Sequence, residues 1–126
     1  MFAMSRMRVG IDLVQVTRIA ASLEAFGETF LRRIFTPREI AYARARPESL
    51  AARFAAKEAA KKALALDGVG WTEIEVVRQP SGACDLELHG AARAAADAIG
   101  AHDLALSLSH EGDFATAIVV ARCEQA

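Results

Sequence analysis

The stretch 53–62, Arg-Phe-Ala-Ala-Lys-Glu-Ala-Ala-Lys-Lys, constrains the fold more than any other part of this chain. At about 3.6 residues per helical turn, four alanines fall on one stripe: Ala51, Ala55, Ala59 and Ala63. The neighbouring stripe carries Phe54, Glu58 and Lys62. The alanine stripe allows close packing. Taken alone, the charged stripe is explained by a solvated helix face on which Glu58 and Lys62 form an ordinary i,i+4 ion pair.

Chain length and composition predict a single small domain. The chain has 126 residues, of which 53% are hydrophobic and 25% charged, as in a soluble globular protein. Alanine supplies much of the hydrophobic total and aromatic residues only 6%, so the core should be thin and the domain could gain stability by oligomerising. A net charge of −1 gives no electrostatic argument for bulk binding to nucleic acid or membranes.

The two cysteines and the amino-terminal residues bear on the compartment. Cys84 and Cys123 match no disulfide framework and no zinc-ligand spacing, so we expect free thiols in a reducing cytosol. The chain shows neither a signal peptide nor the ~20 apolar residues of a membrane span, which favours a cytoplasmic protein. Met4 or Met7 could be the natural start, and residues 1–6 are expected to be disordered or non-native.

The first half of the chain reads mainly as helices after one strand. Alternating apolar residues predict a strand over 7–16, with Asp12 on the face opposite Ile11 and Leu13. Thr17 is expected to cap the next helix, which Gly27 ends. Thr36-Pro37-Arg38-Glu39 has the pattern of a capping box and predicts a helix to about residue 45. Ser49 is then expected to cap the long helix, which continues to about residue 66.

The second half alternates instead and predicts strands. A hairpin is expected from 74–78 and 85–88 around the turn Pro80-Ser81-Gly82, followed by an alanine-rich helix over 90–99. Strands over 104–109 and 114–121 follow, and the second is apolar enough to be central. The predicted fold class is α+β, with helices packed on one side of an antiparallel sheet.

Asp12 is the most unusual residue of the first strand. An unpaired buried carboxylate costs several kcal/mol, so Asp12 either lies near the strand end in solvent or meets a cation. The strand pattern alone leaves both alternatives open.

Four ordered motifs together resemble one family. They are Gly10-Ile11-Asp12-Leu13-Val14, Ile34-Phe35-Thr36 with Glu39, Arg53-Phe54-Ala55-Ala56-Lys57-Glu58-Ala59 with Lys62, and Ser107-Leu108-Ser109-His110. Their order and intervals over nearly the whole chain resemble the 4′-phosphopantetheinyl transferase family, in its short, single-domain holo-acyl-carrier-protein synthase form. Each motif is weak singly, and the four in order are strong.

The resemblance implies an activity and an assembly. The reaction would transfer 4′-phosphopantetheine from coenzyme A to a serine hydroxyl of an apo acyl carrier protein, releasing adenosine 3′,5′-bisphosphate, as part of fatty acid biosynthesis. It also implies Mg²⁺ and a homotrimer whose three sites lie between neighbouring subunits. The thin core is compatible with a trimer.

The resemblance assigns the metal and the phosphate to specific positions. Asp12 and Glu58 match the family's metal ligands, and Mg²⁺ prefers one or two carboxylates with several waters. Lys62 matches the family lysine that contacts phosphate, where a point charge meets developing negative charge, and is counted as both catalytic and coenzyme-binding.

Further site residues follow from the same matches. His110 is expected near the coenzyme phosphate or the attacking hydroxyl, with a catalytic role. Arg53 is expected at the coenzyme or a subunit contact, with a structural salt bridge as the alternative. Lys57 lies about 100° around the helix from Glu58 and should face another partner or solvent, so it is a secondary coenzyme-binding candidate.

Acidic carrier proteins require a locally basic docking surface. The family docks its carrier through the first helix and the following segment, which here carry Arg18, Arg32 and Arg33. Glu24 and Glu28 dilute this charge, and docking should weaken at high salt.

Three departures from the family pattern leave points open. Glu111 stands where many members have Thr, so it could orient His110, bind the metal through water, act as a base, or point to solvent. Val14 stands where larger members have a second acid, which leaves the general base open between Glu58 and a metal-bound water. The hairpin tip 81–84 lacks the usual proline, which puts its coenzyme contact in doubt.

Two other functions compete with this interpretation. The same carboxylates could serve another Mg²⁺-dependent enzyme that cleaves a phosphoanhydride or phosphodiester, or the chain could be a silent carrier-protein-binding or nucleotide-binding module. A serine-hydrolase triad from Ser107, Ser109 and His110 is rejected, because adjacent strand residues point to opposite faces and no nucleophile elbow is present.

Overall fold

The computed structural model describes residues 4–125, which form five α-helices and five β-strands. The helices are α1 (Val16–Phe26), α2 (Glu28–Ile34), α3 (Pro37–Ala43), α4 (Pro47–Leu64) and α5 (Gly90–Ala98). The strands are β1 (Met4–Gln15), β2 (Ile74–Arg78), β3 (Cys84–Leu88), β4 (Ala101–Glu111) and β5 (Phe114–Gln125). No helix within this range is both long and apolar enough to cross a membrane.

The main sheet has three antiparallel strands in the order β1-β5-β4. The apolar strand β5 is therefore central, as its sequence predicted. The register aligns Asp12 with Ala117 and Ala117 with Leu108, so the Asp12 row crosses all three strands. Strands β2 and β3 form the predicted hairpin as a separate two-stranded sheet.

Helix α4 packs against the main sheet through its alanines. Its stripe, Ala51, Ala55, Ala59 and Ala63, is buried with no more than 3% of each residue exposed. Helix and strand approach so closely at Gly10 that a Cβ added there would lie 2.0 Å from the carbonyl oxygen of Ala59. The close packing allowed by the alanine stripe is realised here, and only glycine fits opposite it on β1.

No element formed by residues 4–125 packs on the opposite face of the main sheet. Met7, Val9, Ile11 and Leu13 alternate along β1 and are each 60–71% exposed, and Ile118 lies beside Ile11 on β5. The α+β class with helices on one side of an antiparallel sheet is thus confirmed.

Two helix caps were predicted wrongly. Helix α1 begins at Val16, and the carboxylate of Asp113 accepts hydrogen bonds from the Thr17 backbone N–H at 2.9 Å and its hydroxyl at 2.8 Å. Helix α4 begins at Pro47, which places Ser49 inside the helix rather than before it. The cap of α1 lies 96 residues away along the chain, so no local pattern could have revealed it.

Other local predictions are confirmed. Thr36 and Glu39 form a reciprocal capping box at the start of α3, and Gly27 ends α1 with a φ of 52°. Residues 4–6 begin β1 and pair with the end of β5, so the disordered start expected for 1–6 is wrong for these three. Residues 1–3, under the same expectation, lie outside the described residues.

Candidate active site

An acidic cleft of about 500 Å³ lies where β1, α1 and α4 meet. We define it by Asp12 on β1, Arg18 on α1, and Phe54 and Glu58 on α4, which all line it. The two predicted metal ligands, 46 positions apart in sequence, therefore share one cleft. They meet there because α4 crosses β1 at close range.

Lys62 pairs with Asp12 at the edge of this cleft. Its ammonium lies 3.0 Å from Asp12 Oδ1 and donates a second hydrogen bond of 3.0 Å to the carbonyl oxygen of Ile11. Of the two alternatives for Asp12, the structure selects contact with a cation. The i,i+4 pair between Glu58 and Lys62 does not form, because the lysine turns to the strand instead.

The carboxylate oxygens of Asp12 and Glu58 that have no partner among residues 4–125 are suited to bind a hard divalent cation. Glu58 is half-buried, and its carboxylate has no hydrogen bond or ion pair to residues 4–125. Asp12 Oδ2 likewise has no partner in that range, since Lys62 occupies Oδ1. Two carboxylates with free oxygens in one cleft are the donor set that Mg²⁺ prefers.

A second pocket of about 460 Å³ lies between the start of α4, the tip of the β2-β3 hairpin and the end of β4. We call it the cationic pocket and define it by Arg46, Arg53, Arg78 and His110. One acidic residue, Glu48, lines it among the residues that the structure describes. The balance of charge favours an anionic ligand.

Arg53 is a buried cation of this pocket. It is 4% exposed, and its Nη1 donates to Ser49 Oγ at 2.9 Å. Its Nε has no hydrogen-bond partner, and no carboxylate within 4–125 forms an ion pair with it, so the salt bridge considered as an alternative is wrong. Burial lowers the pKa of Arg53, because desolvation of the guanidinium outweighs the attraction of nearby groups that would raise it.

Tyr42 holds the arginines of the cationic pocket together. The guanidinium carbons of Arg46, Arg53 and Arg78 lie 5.2, 4.3 and 5.2 Å from its ring centroid. Arg78 also donates a 2.7 Å hydrogen bond to the Tyr42 hydroxyl. Sequence reasoning missed Tyr42, Arg46 and Arg78. The available signal was weak, consisting of the only tyrosine of the chain next to an arginine-rich segment.

Lys57 requires a correction. Its side chain is fully buried, and its ammonium contacts Glu39 at 2.7 Å and the Trp71 carbonyl oxygen at 3.1 Å. Of the two orientations expected for Lys57, the structure shows the one toward another partner and not the one toward solvent, and the secondary coenzyme-binding role is wrong because no surface of the side chain is open to a ligand. It is a structural residue that faces a different partner from Glu58.

His110 and Glu111 end β4 on an exposed edge. His110 lines the cationic pocket beside Ser109, as the motif indicated, whereas Glu111 is exposed and is not part of the pocket lining. The hairpin tip contributes Gly82, Ala83 and Cys84 to the same pocket.

The three arginines expected to dock a carrier protein lie on α1 and α2. Arg18 lines the acidic cleft, Arg32 forms a 3.2 Å exposed pair with Glu28, and Arg33 is exposed on α2. The structure thus brings Asp12, Glu58 and Lys62 together with Arg18. It places Arg53 and His110 in the other pocket, and the two linings share no residue.

Comparison with known proteins identifies the family. The model of the 4′-phosphopantetheinyl transferase superfamily matches residues 8–119. The chain belongs to this superfamily. The identity predicted from four motifs is confirmed, and the chain is a 4′-phosphopantetheinyl transferase.

Relatives of this transferase carry consistent names. A holo-[acyl-carrier-protein] synthase of Koribacter versatilis is 45% identical over 117 residues, covering 88% of this chain and 94% of that protein. A Chronobacterium ammoniagenes ACPS–CoA complex is 39% identical with a TM-score of 0.85, over 95% of this chain and 99% of that one. A Helicobacter pylori holo-[acyl-carrier-protein] synthase in complex with coenzyme A is 32% identical, with a TM-score of 0.81 and coverages of 90% and 98%.

Proposed function

We propose that this transferase moves 4′-phosphopantetheine from coenzyme A to a serine hydroxyl of an apo acyl carrier protein, releasing adenosine 3′,5′-bisphosphate. The observation that carries the proposal is a pair of complementary half-sites on one chain. The acidic cleft offers Asp12, Glu58 and Lys62, and the cationic pocket offers Arg53 and His110. Both the Koribacter relative's name and the coenzyme A complexes of similar proteins support it.

In this proposal Asp12 and Glu58 would hold Mg²⁺ through their unpartnered oxygens, and the ion would supply positive charge to offset the negative charge of the pyrophosphate. Lys62 is 55% exposed in its side chain, so its ammonium can reach a phosphate oxygen beside the cleft while remaining near Asp12. Glu58, free of protein partners, is suited to accept the proton of the attacking serine.

The cationic pocket binds the phosphate-bearing end of coenzyme A. Arg53 supplies a buried positive charge that lacks a counter-ion, which an anion would complete. His110, exposed at the pocket wall, donates to the same phosphate or lies near the hydroxyl. The catalytic role expected for Glu111 stays a prediction, since its contacts in this chain offer no support for it.

A homotrimer would join the two half-sites. Each chain presents an uncovered apolar stripe on β1, and exposed stripes of this kind mark interaction surfaces. Packing these faces around a common axis would let the acidic cleft of one subunit meet the cationic pocket of its neighbour. The separation of the half-sites within one chain supports this arrangement.

The acyl carrier protein would dock on α1 and α2. Arg18 places a positive charge in the acidic cleft itself, and Arg33 is exposed on α2 without an ion pair to the described residues. Such charges steer an acidic partner toward Glu58. The two free thiols, Cys84 and Cys123, fit a reducing compartment, for which we propose the cytoplasm.

The decisive experiment incubates the chain with coenzyme A, Mg²⁺ and an apo acyl carrier protein, followed by mass spectrometry of the carrier. We expect the carrier to gain one phosphopantetheine and the mixture to contain adenosine 3′,5′-bisphosphate. Glu58→Gln should abolish the adduct while its circular dichroism stays native, and Arg93→Gln on α5 serves as the surface control.

The other candidate functions give different results in this assay. Cleavage of coenzyme A without an adduct would indicate a different Mg²⁺-dependent enzyme. Carrier binding without either product would indicate a silent module. Absence of the adduct with every apo carrier tested overturns the proposal.

A further inference from the structure

Cys84 is a thiol within the cationic pocket that the transfer reaction does not use. It begins β3 at the hairpin tip, is half-buried, forms no disulfide, and lines the pocket. The second cysteine, Cys123 on β5, is only 3% exposed and packs in the core. The chain therefore carries one half-buried thiol in a pocket and one buried thiol in the core for comparison.

The surroundings of Cys84 are positively charged. In the hairpin register it lies opposite Arg78, and Arg46 lines the same pocket. Arg53 lines the pocket with an unpartnered Nε and 4% exposure. Burial lowers the pKa of Arg53, and its attraction to the nearby Cys84 acts in the opposite direction, so the thiol and the guanidinium are within electrostatic reach.

We propose that Cys84 is a site of reversible thiol–disulfide exchange that captures small anionic disulfides. After Cys84 loses its proton to solvent, the thiolate attacks one sulfur of a disulfide bearing carboxylate or phosphate groups. A Cys84–sulfur bond forms, the original S–S bond breaks, and the second sulfur leaves as a thiolate with the electron pair. Excess thiol reverses the exchange by the same route.

The arginines give this site its selectivity for anions. A positively charged pocket raises the local concentration of an anionic reagent and repels a cationic one, by about 10- to 1000-fold in rate. The mixed disulfide would place its anionic group against Arg53, where the buried charge lacks a partner. Resting on the proposed function, the adduct would occupy the coenzyme half-site and stop transfer.

The test compares two disulfides on the native full chain. Dithiobis(nitrobenzoate) is a dianion and cystamine is a dication, and peptide mass spectrometry follows the labelling of each cysteine. We expect Cys84 to react and Cys123 to stay unmodified. The anion-to-cation rate ratio at Cys84 should exceed the ratio in urea-unfolded chain by at least about tenfold and fall as salt rises.

Two variants test whether the positive charge of the pocket, rather than the solvent exposure of Cys84, sets the anion-to-cation rate ratio. Arg46→Gln should reduce the rate ratio by at least about threefold, whereas Arg93→Gln on α5, which does not line the pocket, should leave it unchanged. Adenosine 3′,5′-bisphosphate should protect Cys84 from both reagents. An unreactive Cys84, or a rate ratio equal to that of the unfolded chain, overturns the proposal.

Labelling of Cys84 does not require transferase turnover. The thiol-exchange proposal and the proposed transferase function can therefore be refuted independently of each other. Selective labelling in a chain without transferase activity would retain the thiol site and remove the proposed function. In an active chain, full labelling with undiminished transfer would overturn the claim that the adduct blocks the coenzyme half-site. Whatever its basal rate, Cys84→Ser should be insensitive to the anionic disulfide.

Discussion

The ammonium of Lys57 lies 2.7 Å from a carboxylate oxygen of Glu39, and neither side chain has any exposed surface. The other carboxylate oxygen of Glu39 accepts the backbone N–H of Val76 at 2.9 Å, and Lys57 also donates to the Ile74 carbonyl oxygen. One ion pair therefore joins α3, α4 and β2. The pair lies one residue from Glu58, on a different side of the same helix.

Lys57→Met should lower the free energy of unfolding by about 3–5 kcal/mol, because it leaves the Glu39 carboxylate buried and unpaired. Lys62→Met on the exposed side of α4 should change it by less than about 1 kcal/mol while reducing transfer. Urea denaturation followed by circular dichroism measures both. Equal stabilities of the two variants would show that the buried pair is not required for the fold.

Gly10→Ala should destabilise the chain severely. The added Cβ would lie 2.0 Å from the carbonyl oxygen of Ala59 and 2.7 Å from the backbone nitrogen of Ala63, so β1 or α4 must move. Gly70→Ala is the matched control, since its nearest atom would be 3.9 Å away in a flexible side chain. Thermal melts should show a large loss for the first variant and little change for the second.

Glu75 should make the fold sensitive to acid. Burial alone would raise its pKa, but hydrogen bonds from Arg38, Thr36 and His89 outweigh burial and lower the pKa from 4.5 to about 2. The carboxylate therefore stabilises the fold fully above about pH 4.5, and its contribution of about 3 kcal/mol is lost as the pH falls toward 2.

The measurement compares wild type with Glu75→Gln by urea denaturation at several pH values. The difference in unfolding free energy should be constant from pH 7 to about 5 and shrink below it. Glu87→Gln is the control, because Glu87 is exposed and pairs only with Arg38 among the described residues. If the difference in unfolding free energy between wild type and Glu75→Gln does not vary with pH, the pKa of Glu75 is not lowered in the folded chain.

Ile11→Asp should break the proposed trimer. Ile11 is 60% exposed at the centre of the apolar stripe of β1, and a charge there cannot be buried without a partner. Sedimentation should show a shift toward single 13.5 kDa chains and a matching loss of transfer. Phe26→Asp, on an equally exposed phenylalanine outside the sheet, should leave the mass unchanged. A wild-type chain that sediments as a monomer would refute the trimer directly.

Arg33→Glu should weaken carrier docking without affecting coenzyme binding. We expect the KM for the apo carrier to rise about tenfold at low salt, equivalent to about 1.4 kcal/mol, and the difference to fade at high salt. The KM for coenzyme A should stay constant. Arg93→Glu, on α5, controls for net charge, and an identical effect from it would argue against a specific docking surface.

Most of the fold followed from local sequence patterns. Alternation identified strands, the apolar run of the last strand identified the central one, and Thr36-Pro37-Arg38-Glu39 fixed the start of α3, because each signal concerns residues close together in the chain. The cap of α1 by Asp113 escaped prediction, since its donor and acceptor meet only after β4 and β5 turn back.

The residues of the candidate site were also predicted only in part. The family resemblance singled out Asp12, Glu58 and Lys62, which the fold brings together. Lys57 was misassigned because a sequence motif does not say which of two adjacent charges is buried. Tyr42, Arg46 and Arg78 were missed because their cluster depends on the end of α3, the start of α4 and β2 meeting at one point.

Where Gly10 of β1 meets α4, the nearest helix atoms belong to the backbones of Ala59 and Ala63. Glycine has no side chain to hold the two backbones apart, so helix and strand come into backbone contact at this point. A larger residue at position 10 would push α4 away from β1 and so separate Glu58 from Asp12, and no residue smaller than glycine exists to bring them closer there. The separation of the Asp12 and Glu58 carboxylates therefore depends on the absence of a side chain at position 10, two residues before Asp12.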